Sequence, residues 1–379
     1  MRRLARSARH YRAGIRILFT HPYFWPHVTR GAEREIHDLA TRLVERGHQV
    51  TLLTSQPSGL TRRATIDGIN VRYVRVPHRP RARPGYGLDE TAMFALPALA
   101  TSLLHRADVV HCWHYADAAA VIGRGRPTFL KVTGSVTPEW MQRSPMHDRL
   151  LRRALARTDE VWCNSEWARG EMSGFGREMG IVPAGVDRTV FQPVADRAEQ
   201  PTVLSTSAPD EPRKRLVDLL AGWGAVRAAV PDAQLRIAGN APTAIRDALL
   251  AEVPDSDRGS VHFLGSLGTG ELAREYSAAW LSVMPAVLEA LGLSTLESLA
   301  CGTPVLGADS GHTPALVAPP GAGAVFRPAD PADLARVVGG HLAAGAPKDR
   351  DACRSATDRY DWERIVTEVE TAYQRRALA

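Results

Sequence analysis

IRILFTHPYFWPHVTRGAEREIHDLATRLVERGHQVTLLT, residues 15–54, sets the fold class. Ile15–Phe19 is a short apolar run that reads as a strand. Further on, Ile36, Leu39, Ala40, Leu43 and Val44 fall at i, i+3, i+4, i+7 and i+8, the spacing of one helix face. Gly47 stops that helix, and Val50–Thr54 is the next strand. Alternation of this kind predicts a parallel sheet covered by helices on both faces.

The same alternation continues outward. Val71–Val76, Asp108–His111, Thr128–Val132 and Glu160–Cys163 read as strands, and a polar, proline-containing stretch at 187–201 reads as a linker. The pattern then restarts with Thr202–Ser205, Gln234–Ala238, Val261–Leu264, Leu281–Met284 and Pro304–Leu306. A last helix, roughly Trp362 to Arg376, carries Ile365, Val369 and Tyr373 on one face. An α/β protein of two Rossmann-like, doubly wound domains follows, with boundaries at 1–190 and 191–360 and a C-terminal helix at 361–379. Such units predict a ligand in a central cleft between domains, near the carboxyl ends of the strands.

Composition agrees with this and removes several classes. A chain of 379 residues is long for one core. No stretch reaches the roughly 18 uninterrupted apolar residues of a membrane helix. The Arg-rich start, Met1 to Arg12, leads into an apolar run too short for a signal-peptide core, so the reading is cytoplasmic. Cys112, Cys163, Cys301 and Cys353 have no CxxC spacing, which predicts buried thiols and neither zinc nor disulfide. His111 and His114 lack further ligands for a metal. Residues 1–190 hold 29 Lys+Arg against 17 Asp+Glu (+12), the remainder 18 against 24 (−6), giving the overall +6. The first half is thus suited to an anionic partner such as a membrane surface or a phosphorylated acceptor, though a solvated basic face accounts for it equally well.

The chemistry concentrates in EALGLSTLESLACGTPV, residues 289–305. Glu289 and Glu297 stand eight positions apart, with Gly292 between them and a helix predicted from about Ser294. If wholly helical, that spacing is about 12 Å at roughly 1.5 Å per residue. A glycosidase acid/base pair stands roughly 5–9.5 Å apart, so this is not one. A ligand spanning both carboxylates fits better: each accepts hydroxyl hydrogen bonds, while helix-terminal amides between them face a pyrophosphate. Taken alone, Ser294 to Glu297 is also a capping box, and Gly302-Thr303-Pro304 also a helix stop.

The whole string resembles the E-x7-E signature of family 4 (group 1) retaining glycosyltransferases, followed by their A-x-G-x-P-V. Other segments resemble the same family. They are the glycine loop at Gly31, Asp108-Val-Val-His111, Asn164-Ser165-Glu166, Pro183-Ala-Gly185-Val186-Asp187, Val261-His-Phe263-Leu264-Gly265 and Asp361-Trp362-Glu363. The resemblance implies the GT-B fold, with the C-terminal helix crossing back to the N-terminal domain. It implies a nucleoside-diphosphate sugar as donor, no cofactor and no metal. It gives Glu289 the donor sugar's hydroxyls, Glu297 the ribose, the backbone at Gly292 and Leu293 the phosphate and sugar, and Gly31 an approach to the phosphates. Lys214, in Asp210-Glu211-Pro212-Arg213-Lys214, matches the family's lysine for the leaving diphosphate, and it is one of three lysines in an Arg-rich chain.

The chain departs from the family at three places. The glycine loop has Arg30 before Gly31 where two glycines are usual. The family's arginine before the lysine falls at Ala208 or Ser207, leaving Arg213 or Arg215 as substitutes. The family's sugar-contacting histidine falls at Thr133, which cannot carry a proton as imidazole does, with Lys131 close by as a source of charge. Asp255-Ser-Asp257 offers a D-x-D without partner ligands, so no metal role is assigned. Two arginine stripes, at 149, 152, 153 and 157 and at 72, 75, 79, 81 and 83, suit either solvent or an anionic lipid surface. The resulting expectation is a retaining, metal-independent hexosyltransferase acting on an unidentified acceptor hydroxyl of a lipid, polysaccharide or natural product. It is cytoplasmic or peripheral at the inner membrane face, with no nucleic-acid partner. A non-catalytic nucleotide-sugar binder and another GT-B enzyme, such as a phosphorylase or epimerase, stay open beside it.

Overall fold

In a computed structural model, which describes residues 14–24, 30–56, 61–76, 90–121, 125–134, 136–207 and 209–378, the strands gather into two sheets. The chain divides into two units, Met1–Pro183 with Glu363–Ala379 and Ala184–Trp362.

The first unit contains β1 (Arg16–Thr20), β2 (Gln49–Gln56), β3 (Arg62–Ile66), β4 (Ile69–Arg75), β5 (Val109–Cys112), β6 (Thr128–Val132), β7 (Glu160–Cys163) and β8 (Gly180–Ile181). Their order is β3-β4-β2-β1-β5-β6-β7-β8, all parallel except β3, which runs antiparallel to β4. Ile17 and Leu18 of β1 and Val109 and Val110 of β5 are fully buried, as central parallel strands require. Helices α1 (Gly31–Glu45) and α2 (Glu90–Leu104) follow β1 and β4 in the chain. Residues 363–378 of the C-terminal helix, Trp362–Leu378, belong here. Tyr373 bonds the His111 ring, Arg46 bonds Glu363 and Glu370, and Arg375 and Arg376 share Glu160.

The second unit contains β9 (Thr202–Ser205), β10 (Gln234–Ala238), β11 (Val261–Gly265), β12 (Leu281–Met284), β13 (Val305–Ala308) and β14 (Gly323–Phe326). The order β11-β10-β9-β12-β13-β14 is the 3-2-1-4-5-6 winding of a dinucleotide-type fold. The order therefore reverses between β9 and β12, the kind of switch point at whose carboxyl ends doubly wound sheets take their ligands. Trp223, on helix α3 (Leu216–Ala229), is fully buried over this sheet and donates to Ser260 Oγ at 2.9 Å.

Residues 184–190, given to the first domain from sequence, lie in the second unit, where Ala184, Val186 and Phe191 join its core. Gly185 is required there, because a Cβ would stand 2.4 Å from the Trp362 ring. Three strands were not foreseen. β3 is basic and edge-facing, β8 has two residues, and β14 opens on Gly323, whose Cβ would overlap the Val305 carbonyl.

Candidate active site

The switch point of the second unit gathers the charged residues. The loop after β9 tightens into a 3-10 turn, Pro212–Lys214, and the loop after β12 carries Glu289. Lys214 Nζ donates to Glu289 Oε1, and Arg213 Nη1 lies 3.1 Å from the same oxygen. Burial pushes the Glu289 carboxyl up, but the two cations outweigh it and hold it below 4.5. Burial lowers Arg213, but Glu289 and Glu211 outweigh it and raise it, and of the two candidate substitutes for the family arginine Arg213 is the one that reaches Glu289. Arg215 is not: it is tied to Asp218 on α3. Ser207 is buried at 3.5 Å from Ser205 Oγ, and Ala208 lies outside the described residues.

The Glu289 backbone is clamped on both sides. Val287 N donates to Arg213 O, and Arg213 Nη1 to Val287 O at 3.2 Å. Leu288 N donates to Ser310 Oγ at 3.0 Å, and His312 N donates to Glu289 O at 2.8 Å. Leu288 itself is left-handed, φ 56°, and half exposed, a strained non-glycine conformation of the sort that functional loops hold. Gly311 packs so closely that a Cβ would sit 2.5 Å from both the N and O of Glu289. Its φ of 67° also favours glycine. Burial, and then Arg359, lower the His312 ring to about 4, so it is neutral and bonds Tyr360. Sequence reasoning missed Ser310, Gly311 and His312; a glycine following β13 and opening the next helix was the available signal.

Helix α4 (Leu293–Ala300) starts one residue earlier than foreseen, with Gly292 at φ 92° as its N-cap. The first intrahelical bond runs from Leu296 N to Gly292 O, so the amides of Leu293, Ser294 and Thr295 precede it. Ser294 is therefore not the N-cap, and no side-chain cap bond forms there. Glu297 is buried and accepts from the Tyr276 hydroxyl at 3.3 Å, and that hydroxyl also meets Thr206 Oγ1 at 2.9 Å. Burial, then the Glu297 charge, push the Tyr276 phenol well up, so it stays a donor.

In the first unit, Gly31 begins α1 beyond the carboxyl end of β1, its N-cap Arg30 extended and paired with Glu33. Thr133 follows β6, and its carbonyl accepts from Asn164 Nδ2 at 3.0 Å. Lys131 does not replace the histidine: only 2% exposed, it is bonded to Glu35 of α1 and sits over the Trp113 ring. His111 is a core residue, stacked on Trp113 at 4.7 Å. Asp255 pairs with Arg258 and Asp257 with Arg227, which accounts for the D-x-D. Among the described residues no group of three or more His, Cys, Asp or Glu is placed to hold a metal, and no helix is long and apolar enough to cross a membrane.

Comparison with known proteins adds an independent line. Residues 29–190 match the family described as Glycosyltransferase Family 4, and residues 200–343 match Glycosyl transferases group 1. An MMP alpha-(1->4)-mannosyltransferase of Mycolicibacterium hassiacum is 29% identical over 52% of this chain and 48% of its own length, so that match spans about half of the relative. A glycogen synthase of Mycobacterium tuberculosis is 26% identical over 95% of this chain and 94% of its own. The fold is shared with a sucrose-phosphate synthase of Thermosynechococcus elongatus, TM-score 0.79 at 22% identity, over 95% of this chain and 98% of that one.

Proposed function

Since the chain belongs to the group 1, family 4 glycosyltransferases of GT-B fold and is a nucleotide-sugar-dependent enzyme, we propose that Glu289, Lys214 and Arg213 form its catalytic end and that transfer is retaining. The carrying observation is the Lys214–Glu289–Arg213 cluster at the β9/β12 switch point.

As the bond from the anomeric carbon to the diphosphate breaks, negative charge grows on the leaving phosphate. Lys214 and Arg213 stand ready to offset it without a metal. Glu289 sets both cations and offers a carboxylate to the sugar hydroxyls as the ring becomes cationic. The acceptor oxygen bonds the anomeric carbon on the face that the phosphate leaves, and the phosphate oxygen takes the acceptor proton. Glu297, held by Tyr276, is suited to the ribose, and the first-turn amides beyond Gly292 to the phosphates. Gly31 and Thr133, both beyond carboxyl ends of first-unit strands, fit ligand contacts there. Exposed Leu96, Leu103 and Leu104 on α2 and exposed Arg149, Arg153 and Arg157 support peripheral contact with an anionic, cytoplasm-facing bilayer.

The test is a panel of nucleoside-diphosphate sugars screened by thermal shift, followed by transfer to hydroxyl acceptors and NMR of the product anomer. A retained anomer formed equally well in EDTA is expected. An inverted product, turnover requiring inorganic phosphate, or activity abolished by EDTA refutes this assignment.

A further inference from the structure

The first unit contains a cavity of about 540 Å³ that the proposed reaction does not use. It is lined by the amino-terminal halves of β2 and β4, by β3, and by His105 after α2. These strand ends lie opposite the carboxyl ends where doubly wound sheets take their ligands.

Its charge is one-sided. Arg63 and Arg72 are direct partners across the β3–β4 pair. Like charges so placed repel and destabilise the sheet. Neither arginine forms an ion pair with a described residue, and no lining residue is acidic. His105 is the third basic group, its ring lowered by burial and by the positive charges of Arg72, Arg126 and Arg16. Arg126 anchors the His105 and Ser102 carbonyls at 2.8 and 2.9 Å, which fixes that wall. Protecting a sheet edge explains arginines on β3, but it does not call for a second one facing them from β4.

We propose that this cavity binds a small phosphorylated sugar or polyol. A phosphomonoester has nearly two negative charges and three acceptor oxygens, which two guanidinium forks and an imidazole satisfy. The volume exceeds what a phosphate fills. Gln49, Thr51 and Asn70 supply the amide and hydroxyl groups that a hydroxylated body would bond.

The test uses the full chain, with glucose 6-phosphate as probe and glucose, inorganic phosphate and phosphatidylglycerol vesicles as comparisons, read by calorimetry and thermal shift. Saturable binding of glucose 6-phosphate, tighter than inorganic phosphate and absent for glucose, supports the site. Arg63→Gln and Arg72→Gln should each weaken it about tenfold or more, the loss of one charge-assisted contact. Without ligand, Arg63→Gln should melt no lower than the native chain, because repulsion is relieved. Glu289→Gln should leave glucose 6-phosphate binding unchanged, which separates this cavity from the donor site. Binding that persists in an Arg63→Gln/Arg72→Gln double variant overturns the proposal. So does binding to vesicles alone, or to inorganic phosphate as tightly as to the sugar phosphate.

Discussion

Glu289→Gln is the sharpest probe of the switch-point cluster. The change keeps the shape of the side chain and removes the charge that Lys214 and Arg213 share. Both cations are partly exposed, so the stability cost is small, about 0–1 kcal/mol per pair after solvent screening. The melting temperature should fall by no more than a few degrees. Turnover is different. In the proposed role the carboxylate's bonds to sugar hydroxyls would strengthen as the ring becomes cationic, and a charge-assisted bond contributes roughly 1.5–3 kcal/mol. Losing one or two such contacts predicts a fall in kcat on the order of 10²-fold. Nucleoside diphosphate release, followed by a coupled assay across donor concentration, separates kcat from KM. The pH profile gives a second reading. Because Lys214 and Arg213 hold the carboxyl below 4.5, its charge and its contribution to stability are present above that value and are lost as pH falls through the lower folded value. The variant should lose that part of the acid limb. A kcat within a few-fold of native, or a loss confined to donor KM, would refute the transition-state role.

Gly311→Ala should lower kcat/KM without touching a charged group. Its methyl would stand 2.5 Å from the Glu289 backbone, and a displacement near 1 Å can cost about 10²-fold. Gly340→Ala, where a Cβ meets nothing within 4 Å, is the matched control and should leave kcat unchanged. Lys131→Met strands buried Glu35, which predicts about 3–5 kcal/mol lost in denaturant unfolding, with much of it recovered by adding Glu35→Gln. A double variant no more stable than the single one contradicts that pairing. Asp117 is fully buried against Thr20, and burial raises its carboxyl to about 8. Its folded state keeps a proton that the unfolded chain releases near 3.8, so stability falls as pH rises between those values. Asp117→Asn should flatten that slope and raise the melting temperature at pH near 8; an unchanged slope rules this out.

Local signals made much of this protein legible from sequence. β6, β7, β9, β10 and β12 lie where alternating apolar runs place them, because a buried parallel strand needs a continuous apolar segment and little else. The E-x7-E string was readable because its glycine, its helix start and both carboxylates lie in one loop and one helix. β3 was not, since its residues, Arg-Arg-Ala-Thr-Ile, are those of an exposed edge, with no alternation to find.

Meetings between distant segments were decided only in three dimensions. Arg213 and Lys214 lie some 75 positions from Glu289. They touch it because β9 and β12 become neighbours where the strand order reverses, which no spacing along the chain encodes. Lys131 and Glu35, 96 positions apart, show the converse. A lysine that stood free in the sequence is consumed by a buried carboxylate, since neither charge can leave water unpaired. The sequence thus determined the elements and the chemistry available. Packing decided which charges pair with each other and which remain to meet a ligand.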